Sequence, residues 1–309
     1  MTVLIVGLGS IAKKHLSALR KLRPDMLVYA LRSSSSSLSF DGVKDIYSWE
    51  ELVDLNLDFV IISNPTSEHK WAIERLLDLQ IPLFIEKPLY HSLAIEDLVH
   101  KVERSGQLTY VACNLRFLDC LKFVKEVLSE KKKCLNEVNV YCGSFLPDWR
   151  AGVDYRKIYS AISSMGGGVH LDLIHELDYL YWFFGVPRNI HSIFSSRSTL
   201  CIDAYDYANY CLEYDSFCAN VVLNYYRKDT KRTLELVFED ETWSVDLLTN
   251  KIICGDNVVF SSDQVIGDTY LAQMDYVLQL IEERKTVSQN TICDAFNVLK
   301  ICLTDDTKR

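Results

Sequence analysis

A glycine triplet leads into a segment that carries acids and a histidine at helical spacing. The pattern after Gly166-Gly167-Gly168 predicts one helix from Val169 to Phe184. A carboxylate beside an imidazole is what a general base requires, because the acid orients the ring and tunes its proton affinity. A solvated helix face has the same pattern, so both interpretations stay open. At about 100° per residue, one sector of the predicted helix contains Asp172, His175, Glu176 and Tyr179.

A second candidate site lies at the start of the chain, where Gly7-Leu8-Gly9-Ser10-Ile11-Ala12 follows an apolar strand and opens a helix. In a G-x-G-x-x-A motif the first glycine permits the turn, and the second lets the backbone approach a pyrophosphate at the helix N-terminus. The small alanine allows close packing of helix on strand. The motif predicts dinucleotide binding, with a simple strand-to-helix turn as the alternative. The predicted cofactor contacts here are Gly7, Gly9, Ser10, Ile11 and Ala12.

The end of the second predicted strand bears on the type of dinucleotide. An acid about 20 residues after the glycines commonly binds the ribose hydroxyls of NAD, but this strand ends in Leu31-Arg32-Ser33-Ser34. A guanidinium with neighbouring hydroxyls suits the 2′-phosphate of NADP. Arg32 and Ser33 are therefore predicted cofactor contacts that favour NADP, with NAD as the alternative.

Polar residues also follow the third and fourth predicted strands. Asn64, Pro65 and His69 come after Phe59-Val60-Ile61-Ile62, and Glu86-Lys87-Pro88 comes after Leu83-Phe84-Ile85. Open α/β sheets bind ligands at the carboxyl ends of their strands. The predicted cofactor contacts here are therefore Asn64, Pro65, His69, Glu86 and Lys87. Lys87 is also placed to hold a substrate oxygen by its charge, although it has the features of a solvated loop lysine.

Two kinds of strand pattern predict two domains. Up to about residue 118, short strands that are apolar throughout alternate with helices, which indicates a doubly wound parallel sheet of the Rossmann type. From Glu137 the strands are longer, alternate polar with apolar residues and follow one another directly, which indicates a large open, mostly antiparallel sheet. The predicted domains are 1–118 for the dinucleotide and 119–309, of α+β type, for substrate and oligomerisation.

Composition excludes several classes of protein. With 33 basic against 42 acidic residues and a net charge of -9, the 309-residue chain is not expected to bind nucleic acid. Its apolar runs are shorter than a membrane span, and Met1 leads directly into a strand without a signal peptide, so we expect a cytoplasmic protein. The ten cysteines form no C-x-x-C pair and lie mostly in apolar runs, which predicts buried thiols, no disulfide and no metal site.

In combination, these motifs resemble the Gfo/Idh/MocA oxidoreductase family, named for glucose-fructose oxidoreductase and inositol dehydrogenase. The resemblance rests on G-L-G-S-I-A, N-P-T-S-E-H, E-K-P, N-L-R-F at 114–117 and G-G-G-V-H-L-D-L-I-H. It implies a Rossmann domain followed by an open-sheet domain, an NAD(P) cofactor, and catalytic roles for Lys87, Asp172 and His175. The commoner family pattern has three residues between the acid and the histidine, whereas here only Leu173 and Ile174 intervene. If His175 is the fixed point, Leu171 stands in the acid's place.

The loop from Trp149 to Tyr159 is similar to family members that act in bacterial surface-sugar biosynthesis. Its aromatic rings and guanidinium groups are suited to stack on a sugar ring and to pair with a phosphate or carboxylate. The alternative is a contact surface between subunits. The predicted substrate contacts are Arg116, Trp149, Arg150, Tyr155, Arg156 and Tyr159.

The resemblance implies hydride transfer between NAD(P) and a secondary alcohol or ketone of a sugar or nucleotide-sugar. The alternative from another class is a non-catalytic NAD(P)-binding sensor on the same fold. A third possibility is an enzyme that keeps and recycles its bound cofactor. We further expect a homodimer or homotetramer, because the predicted strand from Tyr205 to Tyr214 carries apolar or aromatic residues on both faces and an open sheet leaves one face uncovered.

Overall fold

A computed structural model describes residues 1–36, 38–130 and 134–305 and divides the chain into two compact units. The first comprises Met1–Asn114 and Gly267–Phe296, and the second comprises Leu115–Ile266 and the segment that begins at Asn297. The boundary predicted near residue 118 assigned all later residues to the second domain, whereas the first unit also contains residues 267–296. Residues 267–296 belong there because the helix Thr269–Glu282 packs on the helix Ser10–Leu22.

The first unit contains a parallel sheet of six strands in the order β3-β2-β1-β4-β5-β6. The prediction of a doubly wound parallel sheet is confirmed. β4 and β5 are buried at every residue, as expected for strands covered on both faces. The strands are β1 (Thr2–Val6), β2 (Leu27–Leu31), β3 (Val43–Ile46), β4 (Phe59–Ile62), β5 (Leu83–Ile85) and β6 (Thr109–Val111).

The second unit contains an eight-stranded sheet in the order β14-β13-β12-β11-β7-β10-β9-β8. Every neighbouring pair is antiparallel except β7 with β10, so the predicted mostly antiparallel sheet is confirmed. The strands are β7 (Leu135–Phe145), β8 (Asn189–Ser195), β9 (Tyr207–Glu213), β10 (Cys218–Asn224), β11 (Tyr226–Phe238), β12 (Thr242–Asp246), β13 (Lys251–Cys254) and β14 (Asn257–Ser261).

One face of this second sheet is covered. Along β7, Val138, Val140 and Cys142 are buried, whereas Asn139 and Tyr141 between them are not. This alternation is what a sheet with one packed face requires. The other face carries polar side chains such as Asn139 and Asn220, which hydrogen-bond each other across β7 and β10.

Local sequence explains where several helices begin and end. α3 has Glu96 and Asp97 in its first turn, where acids suit the helix dipole, and it ends at Gly106 in the left-handed conformation. Across the described residues the α-helices are α1 (Ser10–Leu22), α2 (His69–Leu76), α3 (Glu96–Ser105), α4 (Asp119–Ser129), α5 (Val169–Asp172), α6 (His175–Phe184), α7 (Thr269–Glu282) and α8 (Ile292–Leu303).

Three expectations are corrected. The helix predicted from Trp49 to Leu55 is only a 3-10 turn at Glu50–Leu52, because the segment buries only Leu52 and cannot anchor a longer helix. The helix predicted from Val169 to Phe184 is interrupted at Leu173, whose ψ of 26° leaves the helical region. Only four of the ten cysteines are buried, at positions 113, 120, 142 and 302, because several lie at strand edges or in loops. All ten are thiols that take part in no disulfide.

In the part of the chain that the structure describes, no helix has the length and apolar character needed to cross a membrane.

Candidate functional site

Gly7 makes the turn at the end of β1 possible. Its φ of +83° lies in the left-handed region, and a Cβ there would stand 2.7 Å from the Asn64 Cα. A side chain would therefore force the Asn64 turn away from β1. The Gly7 N–H also donates to the Leu31 carbonyl at 3.1 Å, which ties the turn to the end of β2.

Gly9 has the opposite surroundings. A Cβ built on it would meet nothing within 4 Å, and it stands at the N-terminus of α1, where no side chain caps the helix amides. The first turn of α1 carries no acid, so nothing there repels an anion. Ala12 is fully buried and lets the helix lie close to the sheet. Open space beside the amides of Ser10 and Ile11 fits the phosphates of a dinucleotide.

Arg32 is not an isolated cation. Its Nη1 lies 2.8 Å from Asp45 Oδ1, and the two side chains are 8% and 10% exposed. The guanidinium also donates to the Leu38 carbonyl, at 3.2 Å from Nη1. Ser33 beside it is exposed. Asp45 was missed because it lies on β3, the one strand of this sheet that the apolar pattern does not reveal.

Asn64, Pro65 and His69 form the turn after β4. His69 is buried, and its Nε2 and Nδ1 lie 3.1 Å from the Asn64 carbonyl and 3.2 Å from the Leu89 carbonyl. Burial lowers the pKa of His69, although the two carbonyls favour its protonated form. A cofactor contact was predicted for His69, but the structure shows that its ring holds the Asn64 turn to the Leu89 segment. Asn64 is half-buried and Pro65 is exposed.

The Glu86-Lys87 step is braced from α1. His15 is fully buried, with its Nε2 2.5 Å from Glu86 Oε1, and the Lys87 N–H donates to Glu86 Oε2 at 3.2 Å. Lys87 itself is half-buried. The sequence prediction missed His15, although a polar side chain three residues after Ala12 on the buried face of α1 is a usable signal.

Asp172 lies at the centre of a hydrogen-bonded cluster in the second unit. It is 7% exposed. The Tyr159 hydroxyl donates to its Oδ1 at 2.9 Å, and the Tyr225 hydroxyl donates to its Oδ2 at 2.5 Å. Burial first, and then the nearby carboxylate, raise the pKa of both tyrosines above the usual range, so both stay protonated donors. Tyr225 was not predicted, since it lies 53 residues from Asp172 in sequence.

Three residues of the predicted substrate loop lie around this cluster. The Trp149 ring packs edge-on against Tyr225 at 5.3 Å, and its Nε1 donates to Ser144 Oγ at 3.0 Å. The Arg150 guanidinium lies over the Tyr159 ring at 5.7 Å. Trp149, Arg150 and Tyr159 are exposed, and they therefore form a polar and aromatic surface next to Asp172.

Tyr155 and Arg156 form a separate pair. The Arg156 guanidinium lies over the Tyr155 ring at 4.7 Å, and the Tyr155 hydroxyl donates to the Leu200 carbonyl at 3.1 Å. Arg156 is exposed and Tyr155 is half-buried.

The glycine triplet lets the Tyr159 segment approach α5. A Cβ on Gly167 would lie 2.1 Å from the Tyr159 carbonyl oxygen, and Gly168 has a φ of +136° that L side chains rarely adopt. Both positions therefore require glycine. The triplet serves packing of the polypeptide on itself, whereas the Gly9 position leaves space.

Because the helix is interrupted at Leu173, the residues predicted to share one helix face are divided between α5 and α6. His175 begins α6 and is half-buried, but Glu176 is fully buried and accepts hydrogen bonds from Arg232, with Nε at 2.9 Å. Tyr179 is also fully buried, and burial together with Glu176 raises its pKa. Glu176 therefore belongs to an internal ion pair rather than to a face shared with Asp172.

Arg116 is likewise internal. Its Nε and Nη2 donate to the two carboxylate oxygens of Asp178 at 2.9 and 2.7 Å, and both side chains are 2% exposed. Arg116 was predicted to contact substrate, and in the structure its guanidinium is held by this buried bidentate ion pair. Among the described residues, no group of three or more His, Cys, Asp or Glu side chains is arranged to hold a metal ion.

Comparisons with known proteins agree with this geometry. Residues 1–113 match the model of the Gfo/Idh/MocA oxidoreductase family, NAD-binding Rossmann fold. Myo-inositol 2-dehydrogenase of Thermotoga maritima is 24% identical over 212 residues, which cover 65% of this chain and 59% of that protein. The chain thus spans less than two thirds of that relative.

Solved structures extend the likeness to the whole fold. UDP-N-acetylglucosamine 3-dehydrogenase of Acidithiobacillus ferrooxidans is 17% identical with a TM-score of 0.78, covering 98% of this chain and 95% of that one. Levoglucosan dehydrogenase in complex with NADH and levoglucosan is 13% identical with a TM-score of 0.83, again covering 98% and 95%. At these identities the likeness shows the fold. The similarity to the Gfo/Idh/MocA oxidoreductase family is thus carried by the first 113 residues of this chain.

Proposed function

We propose that this protein is an NAD(P)-dependent oxidoreductase that acts on a secondary alcohol or ketone of a sugar or nucleotide-sugar. The observation that carries the proposal is Gly9, which leaves open space beside the uncapped amides of the thirteen-residue helix α1. That combination suits a pyrophosphate. The family match over the same residues supports it.

The first unit holds the cofactor through backbone groups. Gly7 and Gly9 shape the turn, and the amides of Ser10, Ile11 and Ala12 face the phosphates. The nicotinamide of the bound cofactor supplies or accepts the hydride. Lys87, which the Glu86–His15 pair braces through the peptide N–H, holds the reacting substrate oxygen by its positive charge.

The second unit moves the proton. His175 accepts the hydroxyl proton during oxidation and donates it during reduction. Asp172 is the acid of this site, and its hydrogen bonds with Tyr159 and Tyr225 position the two rings that contact the substrate. Both tyrosines remain protonated, so they cannot compete with an imidazole as the base at neutral pH.

The surface formed by Trp149, Arg150 and Tyr159 suits a sugar. An aromatic ring contacts the apolar face of a sugar, and the guanidinium pairs with an anionic group. The similar proteins are named as dehydrogenases of myo-inositol, UDP-N-acetylglucosamine and levoglucosan. We extend this to a role in surface-polysaccharide sugar biosynthesis.

The test is turnover by the purified full-length protein. NAD⁺ and NADP⁺, and their reduced forms, are each mixed with a panel of free and nucleotide-linked sugars while the nicotinamide absorbance is followed. A substrate-dependent absorbance change that His175→Asn removes supports the proposal. Dinucleotide binding without turnover on any substrate would favour the sensor interpretation instead.

Cofactor retention is measured on the same preparation. A dinucleotide released only on denaturation, with turnover that needs none added, identifies an enzyme that recycles a bound cofactor. We also propose a homodimer or homotetramer formed through the uncovered face of the second sheet. Light scattering measures the oligomeric state, and a monomer at working concentration would contradict this proposal.

A further inference from the structure

The ion pair between Arg32 and Asp45 occupies the end of the second strand of the Rossmann sheet. Asp45 lies opposite Ala30 in the pairing of β2 with β3, and the Arg32 N–H continues this pairing by donating to the Ile46 carbonyl at 2.9 Å. Two adjacent strands therefore bring the two charges together. Their side chains are almost fully buried, at 8% and 10% exposure.

This pair lies next to the cofactor turn. The Gly7 N–H donates to the carbonyl of Leu31, the residue directly before Arg32. In Rossmann domains the end of the second strand carries the group that meets the ribose hydroxyls or the 2′-phosphate of the adenosine half. The charge presented at this position therefore acts on the one chemical difference between NAD and NADP.

We propose that Asp45 selects NAD over NADP by neutralising Arg32, an inference that rests on the dinucleotide site of the proposed function. Arg32 alone would attract a 2′-phosphate. In the structure its Nη1 is already shared between Asp45 and the Leu38 carbonyl. A 2′-phosphate would also place its negative charge near the Asp45 carboxylate, where the surroundings screen repulsion poorly. This reverses the NADP preference that the sequence around Arg32 predicts.

The test uses three charge states of the pair in the full-length protein. Nicotinamide fluorescence titrations give the dissociation constants of NADH and NADPH at one ionic strength. We expect the wild-type protein to bind NADH at least about tenfold more tightly than NADPH. Asp45→Asn frees the Arg32 charge and moves this ratio toward NADPH by at least about tenfold, whereas Arg32→Ala moves it further toward NADH.

Asp54→Asn is the matched control. Asp54 is an exposed acid of the same unit, so the substitution removes the same charge away from the pair. It should leave the NADH to NADPH ratio at its wild-type value. An equal shift in Asp54→Asn and Asp45→Asn would assign the effect to overall charge and overturn the proposal.

Asp45→Asn leaves a buried guanidinium without its partner and is expected to lose stability. The double variant Arg32→Ala/Asp45→Ala removes both charges and keeps the test usable if the single variant does not fold. It should lower the NADH preference, because no carboxylate remains to repel the phosphate. Wild-type preference retained in the double variant would overturn the selection.

The titrations distinguish failure of the proposed oxidoreductase function from failure of the Asp45 proposal. If the wild-type protein binds neither dinucleotide, the proposed oxidoreductase function fails. If it binds both and prefers NADPH, or if Asp45→Asn folds and keeps the wild-type ratio, the function stands and Asp45 is not the selector.

Discussion

Two glycine motifs of this protein look alike in sequence and differ in what surrounds them. A Cβ on Gly9 would meet no atom within 4 Å, whereas a Cβ on Gly167 would lie 2.1 Å from the Tyr159 carbonyl oxygen. The first glycine leaves space for a ligand, and the second lets two segments of the polypeptide pack together. A glycine motif therefore identifies a binding site only when the space that the missing side chain leaves is open.

Two carboxylates, one in each unit, are held by different kinds of partner. In the first unit, Asp45 forms an ion pair with the Arg32 guanidinium. In the second, Asp172 is held by the neutral hydroxyls of Tyr159 and Tyr225. A tyrosine hydroxyl donates a hydrogen bond to a carboxylate without placing an opposite charge beside it, unlike the guanidinium at Asp45.

The largest expected effect tests the proton chemistry of the second unit. His175→Asn keeps a polar side chain but removes the base, so kcat should fall by roughly 10² to 10⁴ while cofactor affinity is unchanged. In the wild-type protein, the oxidation rate should rise with pH as an imidazole deprotonates, and the reduction rate should show the opposite trend.

Lys87→Met provides the companion measurement in the first unit. It should also lower kcat with cofactor affinity intact, but without removing the pH dependence of the remaining activity. An equal kcat in the wild-type protein and in His175→Asn, measured where chemistry limits turnover, would remove His175 from the mechanism.

The next effect tests the contrast between the glycines directly. Gly167→Ala should lower the free energy of unfolding by about 1 to 3 kcal/mol, because the Tyr159 backbone must move to admit the methyl group. Gly9→Ala should change it by less than about 0.5 kcal/mol, since its φ of −84° suits alanine and the space is open. Denaturant unfolding of both variants measures the difference, and equal losses would contradict the contrast.

Burial explains which elements the sequence predicts. β4 is buried at all four residues and appears as an uninterrupted apolar run. β3 lies at the sheet edge and carries the charged residues Lys44 and Asp45, so its apolar run is interrupted. β14 is exposed at four of its five residues and has no apolar run that marks a buried strand. Strands without a buried face are recognised only through their pairing with a neighbouring strand.

The same reasoning applies to the site. The Gly7–Ala12 turn could be predicted because its function depends on local backbone shape. His15 and Tyr225 could not be assigned their partners, because Glu86 and Asp172 lie 71 and 53 residues away along the chain. The pairing of Arg116 with Asp178 could not be predicted for the same reason, since 62 residues separate the two.

A smaller effect tests the open space at Gly9. Gly9→Val should keep the fold and weaken NAD(P) binding by at least about tenfold, or about 1.4 kcal/mol, because the side chain fills the space beside the α1 amides. Titration of the reduced cofactor measures the dissociation constant. Unchanged affinity in a folded Gly9→Val variant would remove the dinucleotide assignment, whatever the outcome for Gly167.

The smallest expected effect concerns His69, which holds two loops of the first unit together. Because burial lowers its pKa in the folded protein, the unfolded chain binds more protons below the ordinary imidazole value of about 6.5. Stability contributed by neutral His69 is therefore present above that pH and lost as the pH falls below it, by at most about 1.4 kcal/mol per pH unit.

His69→Gln should flatten the dependence of unfolding free energy on pH between about 7 and 5. His100→Gln is the control, since the His100 side chain is 55% exposed. If both variants retain the wild-type slope, folding does not lower the pKa of His69, and this prediction is wrong.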